Sequence, residues 1–479
     1  MILRLTGEGS LTYCQNLCLI FFPGAKFKQD EIERPDSTVA EITCFEKEGR
    51  VMASAVLKQA GRLEKGESSL SLMGPYTRDR AIKLVIGHAV LEAGTRLLGA
   101  APPWGILTGV RPAKVGAELS ARLSSNEEVI STLITEYRVS PDKARLLSLV
   151  TEKRRVAEGL AGKGTCSFYV SIPFCPSRCG YCSFVSYATP RYLATIPAYL
   201  DRLCEDIRAR GREITARGER ITSVYMGGGT PTVLSAEQLD RVLGVIEESL
   251  DLTGITEFTV EAGRPDTITQ DKLDILVKHG VDRTSINPQI LDDKVLESIG
   301  RRHTVEAFYR AYDMAKTAGI ASVNTDLIAG LPGASEATFC STVDQIAKLA
   351  PENVTVHTYC VKRSASFTEE AAEQGDIRGI YSYNGSVSAA CVDYAQKTLM
   401  SYGYEPYYLY RQKNAQGNLE NVGYTLPGHE GLYNILIMEE LQTIYAVGAG
   451  AVTKLVGGPG EKIKRIFEPK YSYEYLSKK

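Results

Sequence analysis

Three cysteines stand together in Phe174-Cys175-Pro176-Ser177-Arg178-Cys179-Gly180-Tyr181-Cys182, a C-x3-C-x2-C spacing. Thiolates hold iron–sulfur clusters, and a cubane of four irons ordinarily takes four of them. Three leave one iron without a protein ligand, and an open metal position is where chemistry occurs. The spacing predicts a 4Fe–4S cluster whose free iron chelates the amino and carboxylate groups of S-adenosylmethionine (SAM). The cluster's electron then breaks the sulfonium S–C bond and releases a 5′-deoxyadenosyl radical. Structural zinc asks for four ligands, as paired knuckles or Cys/His pairs. No second knuckle and no nearby histidine follows the loop. Three crowded thiols are also poor disulfide partners.

The rest of the chain must position this loop. A length of 479 residues predicts two or three domains. With 44% hydrophobic and 23% charged residues, the composition is that of a globular protein. A net charge of −2 gives no electrostatic footprint for nucleic acid. Met1 to Ser10 contains no long apolar stretch after a basic flank, and no run reaches the length of a membrane span. There are eleven cysteines, and outside the loop they are scattered, which is no disulfide framework. These features predict a reduced, cytoplasmic setting with no membrane span. Cys14 and Cys18 are read as packing residues.

Residues 1–75 read as short strands at Asn16–Phe22, Thr38–Phe45 and Val51–Lys58. Residues 78–100 and several stretches of 111–160 read as helices. Gly162-Lys163-Gly164 marks a boundary where the period changes. Strands then alternate with amphipathic helices. The strands are placed at Phe168–Ile172, Ser223–Met226, Glu257–Val260, Arg283–Ile286, Ser322–Leu327 and Asn353–His357. The helices include Tyr199–Arg210, Ala236–Ser249, Gln270–Lys278, Val305–Ala318 and Glu336–Leu349. Such alternation predicts a parallel sheet, either doubly wound or a curved partial barrel. The expected domains are 1–162, 163–360 and 361–479.

Strand ends favour the barrel, where chemistry sits at the carboxyl ends. The cysteine loop follows the first of the six, and Gly227-Gly228-Gly229-Thr230-Pro231 the second. Glu261 ends the third, Gln289 follows the fourth, Asp326 closes the fifth, and His357 and Tyr359 end the sixth. The glycine run is neither a dinucleotide fingerprint nor a P-loop, but it admits close approach of a ligand to backbone. Beside such a cluster it suits the methionine amino group. Glu261 suits ribose hydroxyls, and Arg301 suits the methionine carboxylate. Asp326 interrupts an apolar strand and needs a partner. His303, His357 and His429 are read as structural.

Residues 166–455 resemble the radical SAM coproporphyrinogen III oxidase family. The matching pieces are Tyr169-Val170-Ser171-Ile172-Pro173-Phe174-Cys175, Gly227-Gly228-Gly229-Thr230-Pro231-Thr232 and Val260-Glu261-Ala262. Arg283-Thr284-Ser285-Ile286-Asn287-Pro288-Gln289, Ile299-Gly300-Arg301-Arg302-His303-Thr304 and the run from Asn324 to Gly333 come next, in order. The segments Trp104 to Pro112 and Tyr407 to Lys413 resemble the HemZ-type branch, extending the likeness over nearly the whole chain.

The resemblance implies an α/β fold: a radical SAM partial (β/α)6 barrel with an N-terminal α+β domain and a C-terminal α+β extension covering the substrate. It implies that Cys175, Cys179 and Cys182 bind the 4Fe–4S cluster, with Tyr169 close to cluster and SAM in the catalytic position. Gly228, Gly229 and Thr230 contact SAM, and Glu261, Gln289, Arg301 and Asp326 complete its pocket. Phe184 lies near the adenine. A monomeric oxidoreductase of heme biosynthesis is implied, with a tetrapyrrole substrate and a flavodoxin- or ferredoxin-type electron donor. The reaction is oxidative decarboxylation of coproporphyrinogen III to protoporphyrinogen IX without oxygen. Two departures bear on the substrate. Phe184 stands where the best-understood oxidases carry a fourth cysteine, an ending shared with heme chaperones. Ser171 replaces a histidine of the family pattern. A heme chaperone, a methyltransferase and a heme-degrading enzyme are the alternatives. The tyrosine-rich C-terminal part, with Lys362, Arg363, Arg411 and Lys413, suits a broad apolar body bearing four carboxylates.

Overall fold

The structure is a computed structural model that describes all residues except 29–32, 35–36, 183, 185, 361–384, 413–414, 459–460 and 479. Its described residues form two compact units. The first contains Met1–Thr151 and Arg411–Leu419. The second contains most of the chain beyond Thr151.

In the first unit four strands lie in sequence order: β1 (Ile2–Gly7), β2 (Val39–Lys47), β3 (Arg50–Gln59) and β4 (Arg62–Ser71). β1 runs parallel to β2, and the other pairs are antiparallel. Alternation along β3 buries Val51, Ala53, Ala55 and Leu57. That face packs with helices Leu11–Phe21 and Arg78–Leu98 in one core. The strand expected over Asn16–Phe22 is instead the end of the first of these helices. Ser10 caps it by accepting from the Tyr13 amide, and Cys14, Leu17, Cys18 and Phe21 fall on one buried stripe. A helical period over a short apolar run was the deciding pattern. Three further helices, Pro112–Ser120, Asn126–Thr135 and Pro141–Leu160, complete the N-terminal part.

The second unit is built on one large sheet. Its parallel centre is β5 (Thr165–Ile172), β6 (Arg220–Gly228), β7 (Glu257–Glu261), β8 (Arg283–Ser285), β9 (Ser322–Ala329) and β10 (Asn353–Thr358). These are the six strands expected from the alternation. Phe168, Val170, Val224, Met226, Val260, Val354 and Val356 are buried, as strands covered on both faces require. Helices Ile196–Ala216, Ala236–Ser249, Gln270–Lys278, Val305–Ala318 and Glu336–Leu349 fill the crossovers.

The C-terminal residues extend this sheet at both ends. β11 (Glu405–Arg411) and β12 (Glu420–Thr425) add beyond β10, with β12 antiparallel to it. β13 (Thr443–Val447) adds parallel to β5, with β14 (Val452–Leu455) and β15 (Lys464–Phe467) beyond it. The sheet thus runs β11-β12-β10-β9-β8-β7-β6-β5-β13-β14-β15 and is an open, partial barrel. A three-domain division at residues 162 and 360 differs from this arrangement. The helix Pro141–Leu160 passes from one unit to the other, and later strands belong to the core sheet. Among the described residues, no helix is long and apolar enough to cross a membrane.

Candidate active site

The cysteine loop leaves the carboxyl end of β5 and is anchored at several points. The Cys175 amide donates to Tyr187 O at 3.0 Å, and the Gly180 amide to Ile299 O at 3.0 Å. Cys179 is buried; Cys175 and Cys182 are partly so. Burial pushes the Cys175 and Cys182 thiols up, the latter to about 11, and each also senses its neighbouring cysteines. Thr230 Oγ1 lies 3.4 Å from Cys175 Sγ. Among the described residues no three Cys, His, Asp or Glu side chains converge as tightly as a single ion requires. Three free thiols in one loop are the donor set a cubane would take.

The glycine run explains part of this placement. The Gly229 amide donates to Ile172 O at 2.8 Å, and the Thr230 amide to Phe174 O at 2.7 Å. A Cβ at Gly229 would lie 2.5 Å from Phe174 O, so the run packs backbone against backbone with the start of the cysteine loop. Sequence reading assigned these glycines to a ligand. Their first task in the fold is to seat the loop.

Arg264, in the turn after β7, escaped sequence reading. Its side chain is almost wholly buried, pairs with Asp266 at 3.1 Å and donates to Ser177 Oγ at 2.9 Å. Nη1 lies 3.5 Å from Cys179 Sγ. A permanent cation is therefore held against the loop, and its charge opposes the effect of burial at Cys175. Its position in a strand-end turn, three residues after Glu261, was the available signal.

Arg301 is likewise buried. Nη1 donates to Gly263 O at 3.0 Å and to Asn287 O at 2.9 Å, while Nη2 and Nε reach Tyr181 Oη at 3.0 and 3.3 Å. It ties the turns after β7 and β8 to Tyr181, which sits between Cys179 and Cys182. Burial and the Arg301 charge push His303 down to about 3, so its ring stays neutral.

Glu261 ends β7 and accepts from Tyr225 Oη at 2.5 Å. Burial, with the nearby Asp326 charge, pushes its carboxyl up to about 7 against the hydrogen bonds from Tyr225 and the Gly228 amide. Tyr225 stacks on Tyr433 with centroids 4.4 Å apart, and Tyr169 lies 6.2 Å from both rings. Tyr169 and Tyr225 come from paired positions of β5 and β6, and Tyr433 from helix Leu432–Glu439. Tyr225 was legible only as an inward residue two positions before Gly227.

Gln289 has φ +67, a left-handed conformation that is strained for its side chain. It is buried, and its amide oxygen has no protein donor among the described residues. Ser285 Oγ, on β8, is also buried without a partner. These orphan groups fit a site completed by a polar ligand. Asp326 is fixed by Asn287 Nδ2 at 2.8 Å and Asn324 Nδ2 at 2.7 Å. Burial opposes its charge, but the neighbouring His357 ring and the hydrogen bond from Asn324 outweigh it and hold the carboxyl below its ordinary value.

Not every expected residue converges here. Phe184 is 70% exposed. Ser171 is buried and donates to Ala449 O at 2.8 Å, so a small residue suits the contact between β5 and the turn after β13. Arg411 belongs to the first unit, where it lies over Trp104 and donates to Leu107 O. Tyr404, Tyr407, Tyr408, Tyr424 and Tyr433 are buried in the fold and Tyr402 is exposed. Lys362, Arg363 and Lys413 lie outside the described residues.

The model of the radical SAM superfamily matches residues 169–346. The oxygen-independent coproporphyrinogen-III oxidase-like protein HemZ of Bacillus subtilis is 35% identical over 467 residues, covering 96% of this chain and 91% of that protein. The chain belongs to the HemZ family of radical SAM proteins. The heme chaperone HemW of Lactococcus lactis is 32% identical over 295 residues, 61% of this chain and 70% of its own. Among solved structures, the coproporphyrinogen III oxidase HemN of Escherichia coli superposes with a TM-score of 0.53 at 21% identity, covering 68% of this chain and 71% of HemN. That likeness concerns the fold. Membership in the HemZ family implies a 4Fe–4S cluster and SAM. The three thiols, the Arg264 cation and the orphan polar groups fit both.

Proposed function

We propose that the protein decarboxylates coproporphyrinogen III oxidatively, without oxygen, to give protoporphyrinogen IX. The observation that carries this reading is a three-thiol loop at the carboxyl end of β5 in a chain similar to HemZ along almost all of its length. When bound, cluster and SAM supply one-electron, hydrogen-abstracting chemistry. Cys175, Cys179 and Cys182 would hold the cluster, with Arg264 fixing the loop that carries them. Tyr181, fixed by Arg301, together with Glu261, Gln289 and Asp326, would bind and orient SAM. Tyr169, Tyr225 and Tyr433 stack beside Glu261 and would exclude water there. Each propionate that becomes a vinyl group loses one hydrogen atom, CO2 and one further electron, the last to an external one-electron acceptor. The electron donor would be a flavodoxin or ferredoxin, and the setting the reduced cytoplasm.

A second reading, a heme-handling protein that does not decarboxylate, is favoured by two observations. Phe184 replaces the fourth cysteine, and HemW matches 61% of the chain. An anaerobic assay with reconstituted cluster, SAM, reductant and coproporphyrinogen III separates the two. The mass of a vinyl product with matching 5′-deoxyadenosine supports decarboxylation. Unchanged substrate beside stoichiometric heme binding overturns it. A methylated or ring-opened product would assign another reaction to the same core.

A further inference from the structure

His357 sits at the carboxyl end of β10, the end from which the cysteine loop leaves β5. About a quarter of its side chain is exposed. Nε2 lies 3.7 Å from Asp326 Oδ2, and Nδ1 lies 3.4 Å from Tyr410 Oη. Asn287 donates to the same Asp326 oxygen and Asn324 to the other, so the carboxylate is fixed. A carboxylate, an imidazole and a phenol therefore stand in a row across β9, β10 and β11.

This row crosses an intervening strand. β12 lies between β10 and β11, and Gly423 of β12 pairs with Thr355 of β10. A Cβ on Gly423 would overlap Tyr408 Cε1. The Tyr408 ring occupies that space and brings its hydroxyl 3.4 Å from Thr355 Oγ1. Tyr410, two residues on, stacks parallel to Tyr408 with centroids 6.4 Å apart and reaches His357 the same way. A bare glycine thus lets β11 present two tyrosines to the inner side of β10.

Nε2 of His357 faces Asp326 and Nδ1 faces Tyr410. The contact with Tyr410 is longer than an ordinary hydrogen bond between such atoms. A carboxylate placed against both would accept two shorter bonds, one from a ring N–H of His357 and one from the phenol, as paired donors do for such anions. We infer that His357 and Tyr410 form a carboxylate-binding pair that receives a propionate of the tetrapyrrole. This rests on the tetrapyrrole reading above. SAM also carries a carboxylate, so the two sources must be distinguished.

The test is equilibrium binding to the reconstituted protein, without turnover. Coproporphyrin III, its tetramethyl ester and SAM are titrated separately into wild type, His357→Gln, Tyr410→Phe and the double variant. Iron content checks that each variant keeps its fold. Loss of a charge-assisted hydrogen bond should weaken coproporphyrin binding roughly tenfold to hundredfold. The preference for free acid over ester should shrink by the same factor, which a merely structural role would not produce. Equal acid-to-ester preference in wild type and variants overturns the inference. So does loss confined to SAM. Failure of wild type to bind coproporphyrin overturns the tetrapyrrole reading and this inference with it. Failure to form a vinyl product alone removes the decarboxylation reading and leaves the binding result standing.

Discussion

Arg264 Nη1 lies 3.5 Å from Cys179 Sγ while the same guanidinium pairs with Asp266 and Ser177. The cysteine loop is therefore held from outside by a buried cation, and the three thiols do not stand alone. Cys175→Ala should leave no stable cluster, since no spare thiol lies in the loop. Arg264→Ala should lower iron loading, because it removes the buried guanidinium that donates to Ser177 and lies against Cys179. Iron and sulfide counts after anaerobic reconstitution measure both. Full loading in Arg264→Ala would remove its assigned role.

Arg301→Ala should loosen Tyr181 as well as weaken SAM binding. Its four hydrogen bonds reach Tyr181 and the carbonyls of Gly263 and Asn287. SAM affinity should fall by roughly tenfold to hundredfold, and the cluster should bleach faster in air. A SAM dissociation constant equal to wild type would separate Arg301 from the pocket.

Glu261 carries a pH signature. Its folded carboxyl is raised from 4.5 to about 7 by burial. Between these values the folded state binds more protons than the unfolded chain, so stability falls as pH rises through this window. One such group gives a slope of at most about 1.4 kcal/mol per pH unit. Denaturant midpoints measured across that window should show this decline in the wild type and a flatter profile in Glu261→Gln. Identical profiles would mean that Glu261 keeps its ordinary carboxyl in the fold.

Gly423→Ala should destabilise by about 1–3 kcal/mol, the usual cost of overfilling a packed site. The new methyl group would run into the Tyr408 ring. Chemical denaturation measures the loss. Adding Tyr408→Ala should recover part of it, and no recovery would show that the clash lies elsewhere.

Gly162-Lys163-Gly164 is an exposed turn between helix Pro141–Leu160 and β5. A protease should cut there. The two pieces should nevertheless stay together, because Arg411–Leu419 belongs to the first unit while its flanking strands belong to the second. Arg411 lies 5.7 Å from the Trp104 ring centroid, and Asn418 donates to Ile20 O at 2.6 Å. Size-exclusion chromatography of the nicked protein should give one peak; two native peaks would contradict the shared segment.

The chain's chemistry was legible along the sequence because it is local. The C-x3-C-x2-C loop, the glycine run and the six strand ends each occupy a few adjacent residues, and strand–helix alternation repeats a simple period. The short N-terminal helix was misread because Asn16–Phe22 is apolar enough for either period, and only burial of Cys14, Leu17, Cys18 and Phe21 along one stripe decides between them. Contacts across distant elements were not legible. Nothing near Arg264 in sequence announces Cys179, and nothing near Tyr410 announces His357. Arg411 read as a substrate-facing cation, yet its partner Leu107 lies 304 residues away and the pair is buried. The sequence by itself determined which residues could do chemistry and at which strand ends they stand. The tertiary structure alone decided which side chains meet, because sheet order, the bare backbone at Gly423 and burial set those distances rather than spacing along the chain.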